Sequence, residues 1–383
     1  MTQVASLIIL AAVIVGHLVL VRALLNRGYE LGLPQRLWQA LVALLVLLAL
    51  AGPVAIVWLV GLRGAAVLRG GAWGDVPFAW MLYFAVCVAG LLIGIGVMIG
   101  RAHFAHVAAQ VSASSKVVDY AQATSTPPPV KGAIGKLARL PGNQVFTVEI
   151  VEREIRVPRL PRQWDGISIL HVTDLHMNGT PDRAFFEWAA AQCAALRCDI
   201  ATMTGDVMDN FEVLDWLPTT LGAIDAPLGK YFVLGNHDLH VGGDLMRAAM
   251  ARIGWTSVAG RVETKEFRDA RLVIAGTETP WAGELPPMNG TVESIEFRLL
   301  LSHAPHLIHW ARRRGVDLML AGHLHGGQIQ WPVIGPLAGG RFHSGLFDLP
   351  PTLMHVGRGL GQMAPLRWGC RPEITKLVLR AST

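Results

Sequence analysis

Three apolar stretches fill the first hundred residues, and no other feature constrains the folding of this chain as strongly. Residues 4–25 are apolar apart from His17 and Arg22, and residues 37–60 and 76–100 contain no charge. A helix needs about 20 apolar residues to cross a bilayer core, so each stretch reads as a membrane span. A cleaved signal peptide accounts for one N-terminal stretch but not for three. Of the 33 basic and 28 acidic residues, only Arg22, Arg27, Glu30, Arg36, Arg63, Arg69 and Asp75 lie in residues 1–100. The chain as a whole is 16% charged, against about 25% for a soluble domain. This excludes a disordered, collagenous or simple cytosolic protein and leaves a chain partly in lipid.

Gly52-Pro53 predicts a kink in the second span. Gly90, Gly94, Gly96 and Gly100 form two pairs spaced for close helix packing. His17 reads as a packing or hydrogen-bonding residue. Arg22, Arg27 and Arg36 follow the first span, and Arg101, Lys116, Lys131, Lys136 and Arg139 follow the third. With three spans these eight charges share one side, against Arg63 and Arg69 on the other. That asymmetry predicts an inner-membrane protein with its large domain in the cytoplasm. The net charge of +5 is spread along the chain, so no nucleic-acid partner is expected. Cys87, Cys193, Cys198 and Cys370 match no metal or redox spacing and read as free thiols.

The organisation expected is an anchor over residues 1–100, a linker over 101–143 and a domain over 144–383. Ser112-Ala113-Ser114-Ser115 and Thr124–Pro129 read as breaks in regular structure, with residues 101–122 a possible helical continuation. Beyond residue 145 apolar runs at 167–173, 199–203, 230–234, 271–275, 297–301 and 317–321 read as strands. Helical patterns fall at 182–197, 212–223, 243–253 and 305–314. Such alternation implies a largely buried sheet covered by helices.

Polar groups able to bind metal recur at the ends of these strands: Asp174-Leu175-His176, Gly205-Asp206, Gly235-Asn236-His237-Asp238, Ser302-His303 and Gly322-His323-Leu324-His325. Open α/β sheets place their sites at such ends. Imidazole and carboxylate together suit Fe, Mn or Zn. Seven candidate ligands, Asp174, His176, Asp206, Asn236, His303, His323 and His325, suffice for two ions. A shared carboxylate would hold these about 3.5–4 Å apart to clamp a phosphate and activate water. Gly205, Gly235 and Gly322 are expected to let the backbone turn sharply. His171, His240, His306 and His343 stand outside the motifs and read as structural.

The set D-x-H, G-D, G-N-H-D, an isolated His and G-H-x-H resembles the calcineurin-like metallophosphoesterase superfamily. Gly322–Gln328, Val356–Gly361, Arg371–Ile374 and Pro158–Gly166 resemble its bacterial membrane-associated phosphodiesterase subgroup. The likeness spans roughly residues 145–383. It implies a four-layer α/β/β/α sandwich preceded by three transmembrane helices. It also implies that Asp174, His176 and His325 hold one metal, that Asn236, His303 and His323 hold a second, and that Asp206 bridges them. His237 would face the substrate as proton donor, oriented by Asp238. One segment departs from the subgroup, with Gly276-Thr277-Glu278-Thr279 standing where an acidic Gly-x-Asp-Asp-like run is expected, and this bears on substrate contacts.

The function implied is a membrane-anchored, dinuclear-metal phosphoesterase cleaving phosphodiester or pyrophosphate bonds of a phosphorylated small molecule, nucleotide or lipid. The family includes an enzyme that cleaves UDP-diacylglucosamine. Trp281, Pro286-Pro287-Met288, Leu346-Phe347 and Leu349-Pro350-Pro351 are apolar loop segments that either meet acyl chains or pack within the fold. Rival readings are a protein phosphatase, for which no recognition segment is visible, and a non-catalytic membrane sensor or scaffold. The latter predicts missing ligands, and none is missing.

Overall fold

Why the chain divides follows from where its apolar residues can go. The computed structural model describes residues 2–30, 35–103, 107–127, 130, 132–288, 296–331, 334–336, 340–362 and 364–382. In chain order the elements begin with helices α1 (Gln3–Glu30), α2 (Gln35–Ala55) and α3 (Phe78–His103). Next come β1 (Gln110–Asp119), α4 (Tyr120–Thr124), α5 (Gly132–Gly135), β2 (Thr147–Val157), β3 (Ser168–Val172), α6 (Arg183–Ala195), β4 (Ile200–Thr204) and β5 (Lys230–Val233). Then follow α7 (Asn236–Arg252), β6 (Thr256–Ser257), β7 (Val262–Phe267), β8 (Ala270–Thr277), β9 (Glu296–Ser302), α8 (Ile308–Arg313) and β10 (Leu318–Ala321). The last are β11 (Gln330–Trp331), β12 (Gly335–Pro336), β13 (Gly345–Leu349), β14 (Thr352–Val356) and β15 (Glu373–Ala381).

One compact unit comprises Met1–His106 with Gln330–Arg341. Segments Gln3–Arg27, Ala40–Leu62 and Phe78–Ile99 are long and apolar enough to cross a membrane. Leu10, Val13, Ile56, Val60, Phe84 and Cys87 form their buried centre, while Leu7, Leu50 and Ile93 point outward. Pro53 does not end α2; the helix runs on to Ala55 and continues into a π-helical segment at Ile56–Leu62. Gly90 abuts Leu20 of α1, whereas Gly96 faces open space. The hairpin β11–β12 belongs to this unit: Arg22 Nε donates to the Pro336 carbonyl at 2.8 Å and the Gly340 amide to Asn26 Oδ1 at 3.2 Å.

The other unit, Val107–Ile329 with Phe342–Thr383, is built on two sheets. Their orders are β1-β2-β15-β3-β4-β5-β6 and β13-β14-β10-β9-β8-β7. Side chains alternate between faces along each strand. Ile169, Ile200 and Val233 of the first sheet meet Ile274, Leu299, Leu301 and Leu320 of the second in a shared core. The outer face of the first sheet packs on Phe185, Phe186 and Cys193 of α6 and Met246 and Met250 of α7. That of the second packs on Ile308 and Ala311 of α8. The result is a four-layer α/β/β/α sandwich. Strands buried on both faces read as continuous apolar runs, which is why the six central strands were legible.

Three expectations need revision. Residues 110–119 form a ten-residue strand paired antiparallel to β2, so Ser112–Ser115 extend the sheet and do not break it. Serine is tolerated there because this edge strand is exposed on both faces. Pro128 and Pro129 of the proline run lie outside the described residues. Residues 212–223 form short 3-10 turns at Phe211–Trp216 and Leu221–Ala223, not an α-helix. The helix expected at 243–253 starts earlier, at Asn236, with non-helical backbone at Gly242.

Candidate metal centre

Parallel register places the site. Ile169 of β3 aligns with Ile200 of β4, and Ala201 of β4 with Lys230 of β5, so these strands finish side by side. Asp174, Asp206 and Asn236 follow them within three residues. In the second sheet Leu299 of β9 aligns with Leu318 of β10, which brings His303 beside His323.

Asp174, His176 and His325 converge in one cluster, and Asp206, His303 and His323 in another, each with one ligand atom per residue within 4.8 Å of the others. Asn236 joins the second cluster, its Oδ1 lying 3.2 Å from His303 Nε2. Asp206 Oδ2 lies 3.2 Å from His303 Nε2 and 3.5 Å from His176 Nε2, between a nitrogen of each cluster. All seven residues anticipated as ligands are therefore together.

The hydrogen bonds behind the rings determine what they present. His303 Nδ1 donates to the Thr204 carbonyl at 2.7 Å, because a carbonyl can only accept. Its Nε2 then faces His323 Nδ1 at 3.1 Å, beside Asn236 Oδ1 and Asp206 Oδ2. His176 Nδ1 donates to Asp209 Oδ1 at 2.8 Å, and its Nε2 accepts from His325 Nε2 at 3.0 Å, because Arg367 donates to the other nitrogen of His325. Imidazole nitrogens, carboxylate oxygens and an amide oxygen converge here, and each nitrogen becomes a ligand once it sheds its proton, so the donor set fits metal. Burial disfavours the imidazolium of His303, yet Asp206 outweighs it and pushes its pKa up to about 9. Burial also opposes the ionised form of Asp206, but His303, His176 and His237 hold its carboxyl well below the usual range. His323, buried beside His303, is pushed down to about 3.

Backbone strain concentrates in the same place. Asp174, His176, Asp206, His323 and His325 all have left-handed φ, between 44° and 71°. Non-glycine residues rarely adopt this conformation, and it persists only where the surroundings impose it. Gly205 shares it at φ 94°. Gly235 and Gly322 do not; they supply room, since a Cβ there would lie 2.1 Å from Asp206 Oδ1 and 2.3 Å from Asp174 Oδ2 respectively.

The structure corrects the part expected of Asp238. Its carboxylate is fully buried and accepts the amides of Val207, Met208 and Gly235, so it clasps two loops and does not hold the His237 ring. Burial, then the neighbouring Asp206, pushes its pKa up to about 7. Asp209 takes that place: its Oδ1 lies 2.9 Å from His237 Nδ1, and its Oδ2 accepts from Asn178. By accepting from His237 Nδ1, Asp209 raises the His237 pKa. Asp209 lies three residues beyond Asp206 on the same strand end, the one signal from which it could have been anticipated. His171, read as structural, bonds to His355 and Thr204.

The sequence profile of the calcineurin-like phosphoesterases matches residues 167–327, which contain both clusters. Residues 167–327 form a calcineurin-like phosphoesterase domain. Relatives of the chain include an uncharacterized metallophosphoesterase, YkuE, of Bacillus subtilis (strain 168), 29% identical over 61% of this chain and 86% of that protein. The phosphodiesterase YaeI of Escherichia coli (strain K12) is 28% identical over 55% and 82%. The UDP-2,3-diacylglucosamine pyrophosphatase LpxG of Chlamydia trachomatis (serovar D) is 26% identical over the same two shares. The domain is thus that of a metal-dependent hydrolase of phosphoric esters, and these relatives are consistent with a bacterial membrane-associated subgroup.

Proposed function

We propose that this enzyme is a membrane-anchored, dinuclear-metal hydrolase of phosphodiester or pyrophosphate bonds. The observation that carries the reading is Asp206 Oδ2, within 3.5 Å of a ring nitrogen from each cluster. Asp174, His176 and His325 would hold one ion and Asn236, His303 and His323 the other, with Asp206 shared. Two cations held there, Mn, Fe or Zn, would supply positive charge to the phosphate and lower the pKa of a water.

The chain's own groups complete the chemistry. His237 Nδ1 is engaged by Asp209, which leaves Nε2 to give its proton to the leaving oxygen as the P–O bond breaks. The raised pKa of His237 keeps that proton available toward neutral pH. Water supplies the oxygen gained by phosphorus, and the products are a phosphate monoester and an alcohol, or two phosphates from a pyrophosphate.

Three apolar helices support an anchor near lipid, and the eight-to-two distribution of positive charge supports a cytoplasmic catalytic unit in the inner membrane. A periplasm-dependent reporter fused to the C-terminus would then stay silent, and an active fusion overturns this sidedness. The names of YaeI and LpxG support a diester or lipid-linked pyrophosphate substrate. The decisive test is Asp206→Asn, with metal content and hydrolysis of bis-p-nitrophenyl phosphate measured on detergent-purified protein. Both should collapse together; full occupancy of both sites in the variant rules out a bridging Asp206.

A further inference from the structure

One aromatic residue at the metal centre has no part in holding metal or moving protons. Trp281 packs against two candidate ligands of the second cluster, its ring centroid 5.2 Å from that of His303 and 5.0 Å from that of His323. Even so it remains 38% exposed. The loop that carries it is pinned: the Trp281 amide donates to the Glu278 carbonyl at 3.0 Å. The buried Glu278 carboxylate accepts from the Leu234 amide at 2.8 Å and pairs with Arg247. Glu278, the acidic residue of the departing Gly-Thr-Glu-Thr segment, is thus turned inward, and Trp281 is the aromatic side chain that this loop exposes beside the second cluster.

Leu285 of the same loop is also exposed, but the other large apolar side chains of the loop segments add little. Met288 and Leu346 are buried, and Phe347 packs edge-on against Phe342 at 5.0 Å. An acyl chain gains from many methylenes laid along a continuous apolar groove, whereas a single rigid ring suits one flat partner. The ring also sits at the opposite cluster from the proton donor, since His237 rests against His176 at 4.7 Å.

We infer that Trp281 is a specificity-determining residue, a stacking platform for an aromatic group, such as a nucleobase, on the substituent that stays with phosphorus. The inference rests on reading the two clusters as the hydrolytic centre.

The test uses full-length protein in detergent and three p-nitrophenyl esters that share a leaving group: methyl p-nitrophenyl phosphate, octyl p-nitrophenyl phosphate and thymidine 5′-(p-nitrophenyl phosphate). Trp281→Leu should lower kcat/KM for the thymidine ester about tenfold, mainly through KM, the size of one lost stacking contact. It should spare the methyl ester and leave metal content unchanged, and Trp281→Phe should recover most of the loss. An equal loss on all three esters, a loss on the octyl ester alone, no loss, or a fall in metal content overturns the inference. Calorimetric binding of thymidine 5′-phosphate against methyl phosphate to the same variants reads the platform without turnover. If wild-type protein holds metal but hydrolyses none of the esters, the hydrolytic reading fails while this binding comparison still decides the role of Trp281.

Discussion

His17 in the apolar unit and His303 in the sandwich are both buried, yet their nitrogens are treated in opposite ways. His17 Nδ1 meets the Tyr83 hydroxyl of α3, and its Nε2 lies 2.9 Å from the Leu48 carbonyl of α2. Both nitrogens are satisfied by neutral protein groups, and Gly52 leaves the space, since a Cβ there would lie 2.3 Å from Nε2. His303 Nδ1 is likewise matched, by the Thr204 carbonyl, but its Nε2 faces three groups able to bind metal, Asp206, Asn236 and His323. A ring held by neutral groups on two helices makes a clamp; a ring nitrogen that converges with a carboxylate, an amide oxygen and a second imidazole makes a candidate cation site. Burial by itself does not distinguish them.

Three variants probe that contrast. The largest effect belongs to His237→Ala, which removes the proton donor. Turnover of an alkyl diester should fall about 10² to 10⁴-fold, with both metals retained. The loss should shrink for p-nitrophenyl esters, whose leaving group needs no proton. A drop in metal content equal to that of His323→Ala would make His237 a ligand and dissolve the division between the clusters and their neighbours.

Asp209→Asn comes next. It withdraws a carboxylate from both His176 and His237, and outer partners of this kind are worth about 10- to 100-fold in metal affinity or activity. Asp209 raises the His237 pKa, so the protonated acid survives to higher pH in the native enzyme. In the variant, the alkaline limb of the pH–rate profile should move to lower pH. An unmoved limb removes Asp209 from the role assigned to it.

The smallest effect is expected from His17→Phe. Losing the clamp should cost about 1 kcal/mol, the scale of a hydrogen bond between membrane helices, read as lower thermal stability in detergent. Metal content and kcat should stay unchanged. A loss of metal would mean that His17 does more than join helices.

Much of the fold was legible because two physical signals are local. Spans need only length and apolarity, and strands buried on both faces need only short apolar runs. The strand β1 escaped because an exposed edge of serines carries no apolar signature. The candidate ligands were legible because each sits within four residues of a strand end, where side chain and backbone turn together. Asp238 misled because adjacency in sequence suggested a partner for His237, while its carboxylate is held by three backbone amides from two loops.

The amino-acid sequence alone determined the apolar N-terminal spans, the α/β character of the remainder and the seven side chains suited to metal, since these depend on residue type and short-range pattern. Tertiary structure decided which nitrogen of each histidine faces inward, that Asp206 lies between the clusters, that Asp209 serves His237, and that Trp281 flanks the second cluster. Those facts depend on hydrogen bonds and ring contacts between strand ends from two sheets, such as Thr204 with His303 across 99 residues. Only the packed sandwich brings those ends within a few ångströms of one another.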